Sequence, residues 1–444
     1  MSAVARWAMR SLCVMFYLVD PHELALGPED KVPPYFLLSG IPMFFIFIAV
    51  ERLGIAVRDA RSAEKVSGYR WREATVSVLV GTFQQAFLVS VEAVLGLGIE
   101  KMAYRYAYDH WRLFEVDGKE YVYFSYVTLL LGKDLGYYWC HRCLHEFHVL
   151  WSAHSVHHSG EDYNLAMGLR QGALQPIFGF FFYLPLAILG FNPVQFAAHA
   201  QLNTLYMFWI HTELCERLPW GLERILNSAS HHRMHHRPPG NCNYAGVFII
   251  WDRMFGTFTP ETERKDYYGL AEQPLSYDPL VLNSRHFEVM QRIGGGPTDG
   301  CRLVRALRVL KHIHKRRVPW RWSFKPFIWL QPVPPIRADH RRTGPLRQKF
   351  DGELSMGTST SVCFIALTLV GLGGSVALLL LVKSMHMFDA LAGVLSSCLL
   401  ISGVTRLAEQ RSSEKQWALA QSVLFAPVLF ALLLGRPIER ALAA

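Results

Sequence analysis

Residues 136–158, GYYWCHRCLHEFHVLWSAHSVHH, decide how the chain is read. They contain His141 and His145 as HxxxH, then His154, His157 and His158 as HxxHH. A second stretch, HRMHH at 232–236, repeats HxxHH with His232, His235 and His236, and His211 precedes it at the exit of an apolar run. On a helix, residues three and four apart share a face, so each box aims two or three imidazoles the same way. Neutral imidazole is the commonest metal ligand among side chains and suits iron, zinc, copper and nickel. Eight or nine inward imidazoles exceed the needs of one tetrahedral ion, so two metals sharing them is the economical reading. Chance clustering is a poor rival, because the chain has only 19 His in 444 residues.

Outward from the boxes, the composition is that of a membrane protein. Hydrophobic residues make up 51% of the chain and charged residues 18%, against roughly 25% charged in soluble domains. Uncharged runs of spanning length recur. Val32–Val50 and Ala74–Val91 are the first two, the latter continuing apolar to Ile99. Tyr121–Trp139 makes a third if Lys133 and Asp134 face protein rather than lipid, and that helix should run on to carry His141 and His145. Gln171–Ile210 lacks any Asp, Glu, Lys or Arg and is broken at Gly190–Pro193. It reads as a membrane hairpin of two helices of about 18 residues each. A hairpin returns the chain to the side it left, so His211 and the third box should meet the first two at one face. Leu354–Val382, Ala390–Thr405 and Gln416–Gly435 read as three further spans without boxes. Near the N-terminus, Ser11–Val19 reads as an uncleaved helix lying at the interface.

Net charge is +9, and much of the excess is local: residues 301–349 hold 14 Lys or Arg and one acid, Asp339. Positive loops stay cytoplasmic, which puts the histidine face in the cytosol. No stacking module for nucleic acid accompanies this charge, so nucleic acid is not an expected partner. A transporter would hold its ligands at mid-membrane, whereas these boxes lie beyond the ends of the spans. The eight cysteines follow no framework spacing and read as reduced thiols, Cys140 and Cys143 included. The expected architecture is an all-α integral membrane protein, a multi-span helical bundle with its histidine-rich site at the cytosolic face. Its parts are N-terminal spans (1–119), a catalytic core (120–270), a basic loop (271–353) and a C-terminal three-span region (354–444).

At GYYWCHRCLHE (136–146), LWSAHSVHHSGEDYNLAMGLRQ (150–171), FWIHTE (208–213), SHHRMHH (230–236) and NYAGVFIIWDRMFGTF (243–258) the chain resembles the fatty acid hydroxylase/sterol desaturase superfamily of membrane non-haem iron oxygenases. The resemblance covers roughly residues 120–270. It implies iron, two ions, held by His141, His145, His154, His157, His158, His232, His235 and His236, with His211 as the extra ligand some relatives place before the third box. His231 stays open as an alternative leader of that box. His148 and His199 read as packing or supporting groups. In the branch the chain resembles most, O2 is the oxidant, tetrahydrobiopterin supplies the electrons, and alkylglycerol ether lipids drawn from the membrane are cleaved to fatty aldehyde and glycerol or a glycerol derivative. The alternative branch comprises sterol desaturases and fatty acid hydroxylases driven by cytochrome b5. The resemblance also implies an endoplasmic reticulum membrane. Glu146, directly after the first box, is the candidate catalytic carboxylate, placed to orient a ligand imidazole or the pterin.

Overall fold

A computed structural model describes residues 2–293 and 358–429, apart from 62–68, 96–97, 117, 239, 264–267, 271–272, 275, 382–384, 386, 410–417, 420 and 427–428. The basic segment 301–349 and most of the expected last span, Gln416–Gly435, lie outside the described residues. The described chain is helical, and its β-structure is confined to isolated bridges such as Leu226 with Phe248.

Among the described residues, four helices are long and apolar enough to cross a bilayer: Phe36–Arg61, Trp71–Glu92, Ser361–Leu378 and Phe388–Glu409. They belong to α2 (Ile41–Arg61), α3 (Trp71–Leu95), α14 (Thr358–Leu381) and α15 (Met387–Glu409). Their outer faces are apolar: Phe45, Ile46, Val50, Leu53 and Val57 of α2 and Ile365 and Leu369 of α14 are exposed. In water such a surface would be an association liability, whereas in lipid it costs nothing. α3, α14 and α15 pack on one another through Val76, Leu79, Phe83, Phe364, Leu400 and Val404. A second core joins α1 (Ala3–Met15) and α2 to α10 (Pro193–Trp209) through Met15, Phe44, Leu202 and Leu205.

α5 (Val122–Glu146) runs unbroken for 25 residues and carries the first box on its last turns. Lys133 and Asp134 are buried in protein, as their charge requires. The Lys133 ammonium sits 3.3 Å from the centroid of the Tyr183 ring. Asp134 accepts from Asn203 of α10 at 3.0 Å, from the Val247 and Phe248 amides at 2.7 and 2.8 Å, and from Trp251 Nε1 at 2.9 Å. This carboxylate pins α5 to α10, so the two C-terminal ends emerge together, with His141 seven residues on and His211 eight.

The expected hairpin is half wrong. Its second arm is the rod α10, but its first arm is broken into α8 (Gln175–Gly179), a single turn at Phe180–Phe182, and α9 (Leu184–Ile188). Pro176 and Pro185 open the two short helices, and neither can donate to the turn before it. The broken arm is not one continuous helix of spanning length; part of it, with α4 (Ile99–Trp111), packs against α5 around Tyr104, Leu129, Tyr183 and Leu186. Neither α5 nor α10 is among the four apolar helices: α10, at 17 residues, is too short, and α5, expected as the third span, is too polar over its length.

The chain between the box on α6 (His148–His154) and α8 is wedged tightly. A Cβ at Gly172 would run into the carbonyl oxygen of Ala153, next to His154, while the Gly172 carbonyl accepts from Gln84 Nε2 at 3.0 Å. Gly172→Ala should therefore lower stability by about 1–3 kcal/mol, the usual cost of overpacking. Thermal unfolding of the detergent-solubilised variant checks this; an unchanged midpoint would contradict the wedge.

Candidate metal centre

Nine imidazoles converge at the ends of these helices. His141, His145, His154, His158 and His235 form one group; His157, His211, His232 and His236 form a second. Within each group the potential ligand nitrogens lie within 4.8 Å of one another, and every one of these residues is buried. Each group could hold a metal ion. The split follows helical geometry. On α11 (Ala229–His236), His232 and His236 are one turn apart and share the second group, while His235 faces the first. In the second box His154 and His158 share the first group and His157 turns to the second. The groups abut: His158 and His236 stack with ring centroids 4.3 Å apart and planes 18° from parallel.

The hydrogen bonds say what state the rings are in. His141 Nδ1 donates to the Tyr244 carbonyl at 2.8 Å, His157 Nδ1 to the Arg170 carbonyl at 2.8 Å, His211 Nδ1 to the Met207 carbonyl at 2.9 Å, and His235 Nδ1 to the Cys242 carbonyl at 2.8 Å. His154 Nδ1 donates to Gln175 Oε1 at 2.9 Å. A carbonyl oxygen can only accept, so each Nδ1 carries the proton and each Nε2 bears a lone pair. Yet Nε2 of His141 lies 2.9 Å from Nε2 of His154, and Nε2 of His157 lies 3.2 Å from Nε2 of His211. Two lone pairs cannot share a hydrogen bond. They can share a cation: metal–imidazole bonds of about 2.1 Å, meeting near a right angle, put their nitrogens about 3 Å apart. His232 Nε2, at 3.0 Å from His211 Nε2 and 3.1 Å from His236 Nε2, extends the same spacing. The donor set therefore fits metal, and five imidazoles in the first group exceed a tetrahedral shell.

Burial keeps the rings neutral. It pushes the His157 imidazole down to about 4 and His154, His158, His211, His232, His235 and His236 well below their ordinary range, with neighbouring imidazoles adding to the effect for most of them. Between about pH 6.5 and 4 an unfolded chain takes up a proton on His157 that the folded chain refuses, so the unfolded state gains as pH falls. The metal-free protein should thus lose stability progressively as pH drops through that window, with the His157 contribution levelling near pH 4. Unfolding midpoints of the stripped protein across pH 7.5 to 4 test this; a midpoint that holds or rises would contradict it.

The remaining candidates lie apart from both groups. His231 is fully buried, with its ring edge-on to Phe258 at 5.4 Å and Nε2 at 3.8 Å from Glu223. His199 Nδ1 bonds the Tyr17 hydroxyl at 2.6 Å. His148 Nδ1 meets His286 Nε2 at 3.2 Å. Glu146 Oε1 accepts from Arg142 Nε, one turn back, at 2.9 Å. Neither Cys140 nor Cys143 joins a group, and burial pushes the Cys143 thiol up to about 12. A cavity of about 380 Å³ reaches both groups, touching His145, His158 and His236, with Trp151, His148 and His286 beside them. Sequence reasoning missed the ring anchors. Four are main-chain carbonyls, which carry no residue signature, and the fifth, Gln175, sits in an uncharged run with nothing to single it out.

A helical membrane bundle that gathers nine imidazoles at its helix ends is a histidine-box membrane protein, and residues 126–257, which hold all nine, match the fatty acid hydroxylase family. The chain is similar to alkylglycerol monooxygenase of Xenopus tropicalis, 39% identical over 276 residues, which are 62% of this chain and 58% of that protein. Human alkylglycerol monooxygenase is 36% identical over the same shares of each chain. Human lathosterol oxidase is 32% identical over 34% of this chain and 49% of its own length. The chain thus spans under two thirds of the length of these relatives. No solved structure matches it.

Proposed function

We propose that the protein is a membrane-bound iron monooxygenase acting on alkylglycerols, with O2 as oxidant and tetrahydrobiopterin as reductant. The observation that carries this reading is the pair of abutting imidazole groups whose Nε2 atoms face one another with lone pairs and no protons between them. Similarity to two alkylglycerol monooxygenases supports the substrate class. His141, His145, His154, His158 and His235 would hold one iron and His157, His211, His232 and His236 the other. Iron so held supplies activation of O2 for attack on an unactivated C–H bond. In the net reaction one oxygen atom enters the carbon beside the ether oxygen, and the other leaves as water with two electrons and two protons from the reductant. The hemiacetal then collapses to fatty aldehyde and a glycerol.

The protein's own groups do the positioning. The carbonyls of Tyr244, Arg170, Met207 and Cys242 fix the tautomer and plane of four rings, so little reorganisation remains when metal binds. Burial of all nine histidines keeps bulk water away from most of their nitrogens. Trp151 and the cavity beside it give a reactant a path to ligands of both groups. The core at 120–270 would sit at the cytosolic face of an endoplasmic reticulum membrane, with the lipid tail drawn from the bilayer. Glu146, paired with Arg142, is placed beside the first box to support His145 or the reductant. Oxygen-dependent aldehyde release from an alkylglycerol by purified protein tests the reading, with tetrahydrobiopterin and reduced cytochrome b5 in parallel and His157→Ala as control. Turnover with the pterin alone is expected. Turnover only with cytochrome b5, or desaturation of a sterol, would favour the lathosterol-oxidase-like branch.

A further inference from the structure

The two imidazole groups are held in place by different buried carboxylates. His157 of the four-imidazole group donates to the Arg170 carbonyl, and the Arg170 side chain is itself fully buried. Its Nη1 donates to Glu73 Oε1 at 3.2 Å and to Ser77 at 3.3 Å, both on α3, and its Nε to Ser159 Oγ at 2.9 Å. Glu73, 3% exposed, thereby clamps residue 170, and with it the carbonyl that orients His157, onto a membrane helix. His141 of the five-imidazole group donates instead to the Tyr244 carbonyl. There Asp252, fully buried, accepts the Tyr244 amide on Oδ1 and the Ala245 amide on Oδ2, each at 2.7 Å, and also takes the Thr257 hydroxyl on Oδ1 at 2.6 Å. No residue is shared between the two clamps.

We infer that Glu73, through Arg170, is a positioning residue for the four-imidazole group, that Asp252, through the Tyr244–Ala245 backbone, is one for the five-imidazole group, and that the two metals can be weakened separately. This rests on the two-iron reading above. Glu73→Gln keeps the shape of the side chain but removes the negative charge opposite the Arg170 cation, so residue 170 is held by neutral partners, Ser77 and Ser159 among them, and the clamp is loosened. Asp252→Asn keeps one accepting oxygen but turns the other into a donor facing an amide, so one of the two backbone bonds is lost. Supporting groups of metal ligands typically carry 10–100-fold in metal affinity, and that is the effect expected at one group only.

The test is reconstitution with 57Fe(II) of the full chain in detergent, taking the monodisperse fraction. Iron per chain, affinity against a ferrous chelator and the Mössbauer spectrum are measured. The parent should bind two irons. Glu73→Gln should weaken one iron 10–100-fold and deplete one spectral component; Asp252→Asn should deplete the other. Asp278→Asn controls for neutralising a buried carboxylate that supports no imidazole: Asp278 is fully buried and accepts from Nε of the partly exposed Arg406 at 2.6 Å. It should keep both irons. If Glu73→Gln does not accumulate, Glu73→Asp should shift the same iron. Unchanged affinities in both variants, parallel loss of both irons, or equal loss in Asp278→Asn would overturn the inference. A parent that does not bind two irons would instead overturn the reading beneath it.

Discussion

Alanine at His232 is expected to abolish turnover and release the metal of the four-imidazole group, whereas alanine one residue earlier, at His231, should leave both metals bound. The sequence SHHRMHH permits either residue to lead the box. Geometry separates them. His232 Nε2 lies 3.0 Å from that of His211 and 3.1 Å from that of His236, at the centre of its group. His231 points to the other side of α11, against Phe258 and toward Glu223. Loss of a ligand should cost more than the roughly 10–100-fold that a supporting residue carries. His231→Ala removes a buried ring that lies outside both imidazole groups, so its expected effect is a cavity cost of about 1–3 kcal/mol in stability. Metal content and turnover of the two purified variants decide the matter. Equal metal loss in both would mean that His231 is a ligand and the grouping is wrong.

What the sequence revealed depended on which residue types carry their own signature. Imidazoles at three- and four-residue spacing announce a shared face, so all nine converging residues were legible, His211 included. Their division into five and four was not, because it depends on which side of α6 and α11 meets which neighbour. The uncharged stretch 171–189 misled in the opposite way. Lack of charge does not distinguish one long helix from a run of short ones, and only Pro176 and Pro185 pointed to the breaks. Asp134 was legible as a carboxylate facing protein, but three of its four partners belong to a distant segment, 247–251, and two of those are main-chain amides. The carbonyls of Tyr244 and Arg170 left no trace at all, since any residue but the right backbone path would look the same.

Arg233 shows the same limit and carries the largest expected effect on stability. It lies between two box histidines, His232 and His235, and is fully buried. Its Nε and Nη2 donate to both oxygens of Glu261 at 2.7–3.1 Å, and its remaining hydrogens reach the carbonyls of Thr212 and Cys215 at 2.9 and 2.8 Å and of Glu216 at 3.1 Å. Thr212–Glu216 is the loop that follows His211, so this one guanidinium staples the His211 side of the four-imidazole group to the helix bearing His232 and His236. Arg233→Met keeps the volume but strips three carbonyls of their donor and leaves Glu261, fully buried, with Arg237 at 2.7 Å as its remaining ion-pair partner. Breaking a buried pair by removing one partner costs about 3–5 kcal/mol. The variant should unfold at a markedly lower temperature, and what remains folded should hold the four-imidazole metal weakly. Arg233→Lys should rescue little, because an ammonium has three donors on one atom and cannot span a carboxylate and three carbonyls at once. Thermal unfolding with metal analysis on the folded fraction is the measurement. A methionine variant as stable and as fully loaded as the parent would mean that the staple contributes nothing to the site.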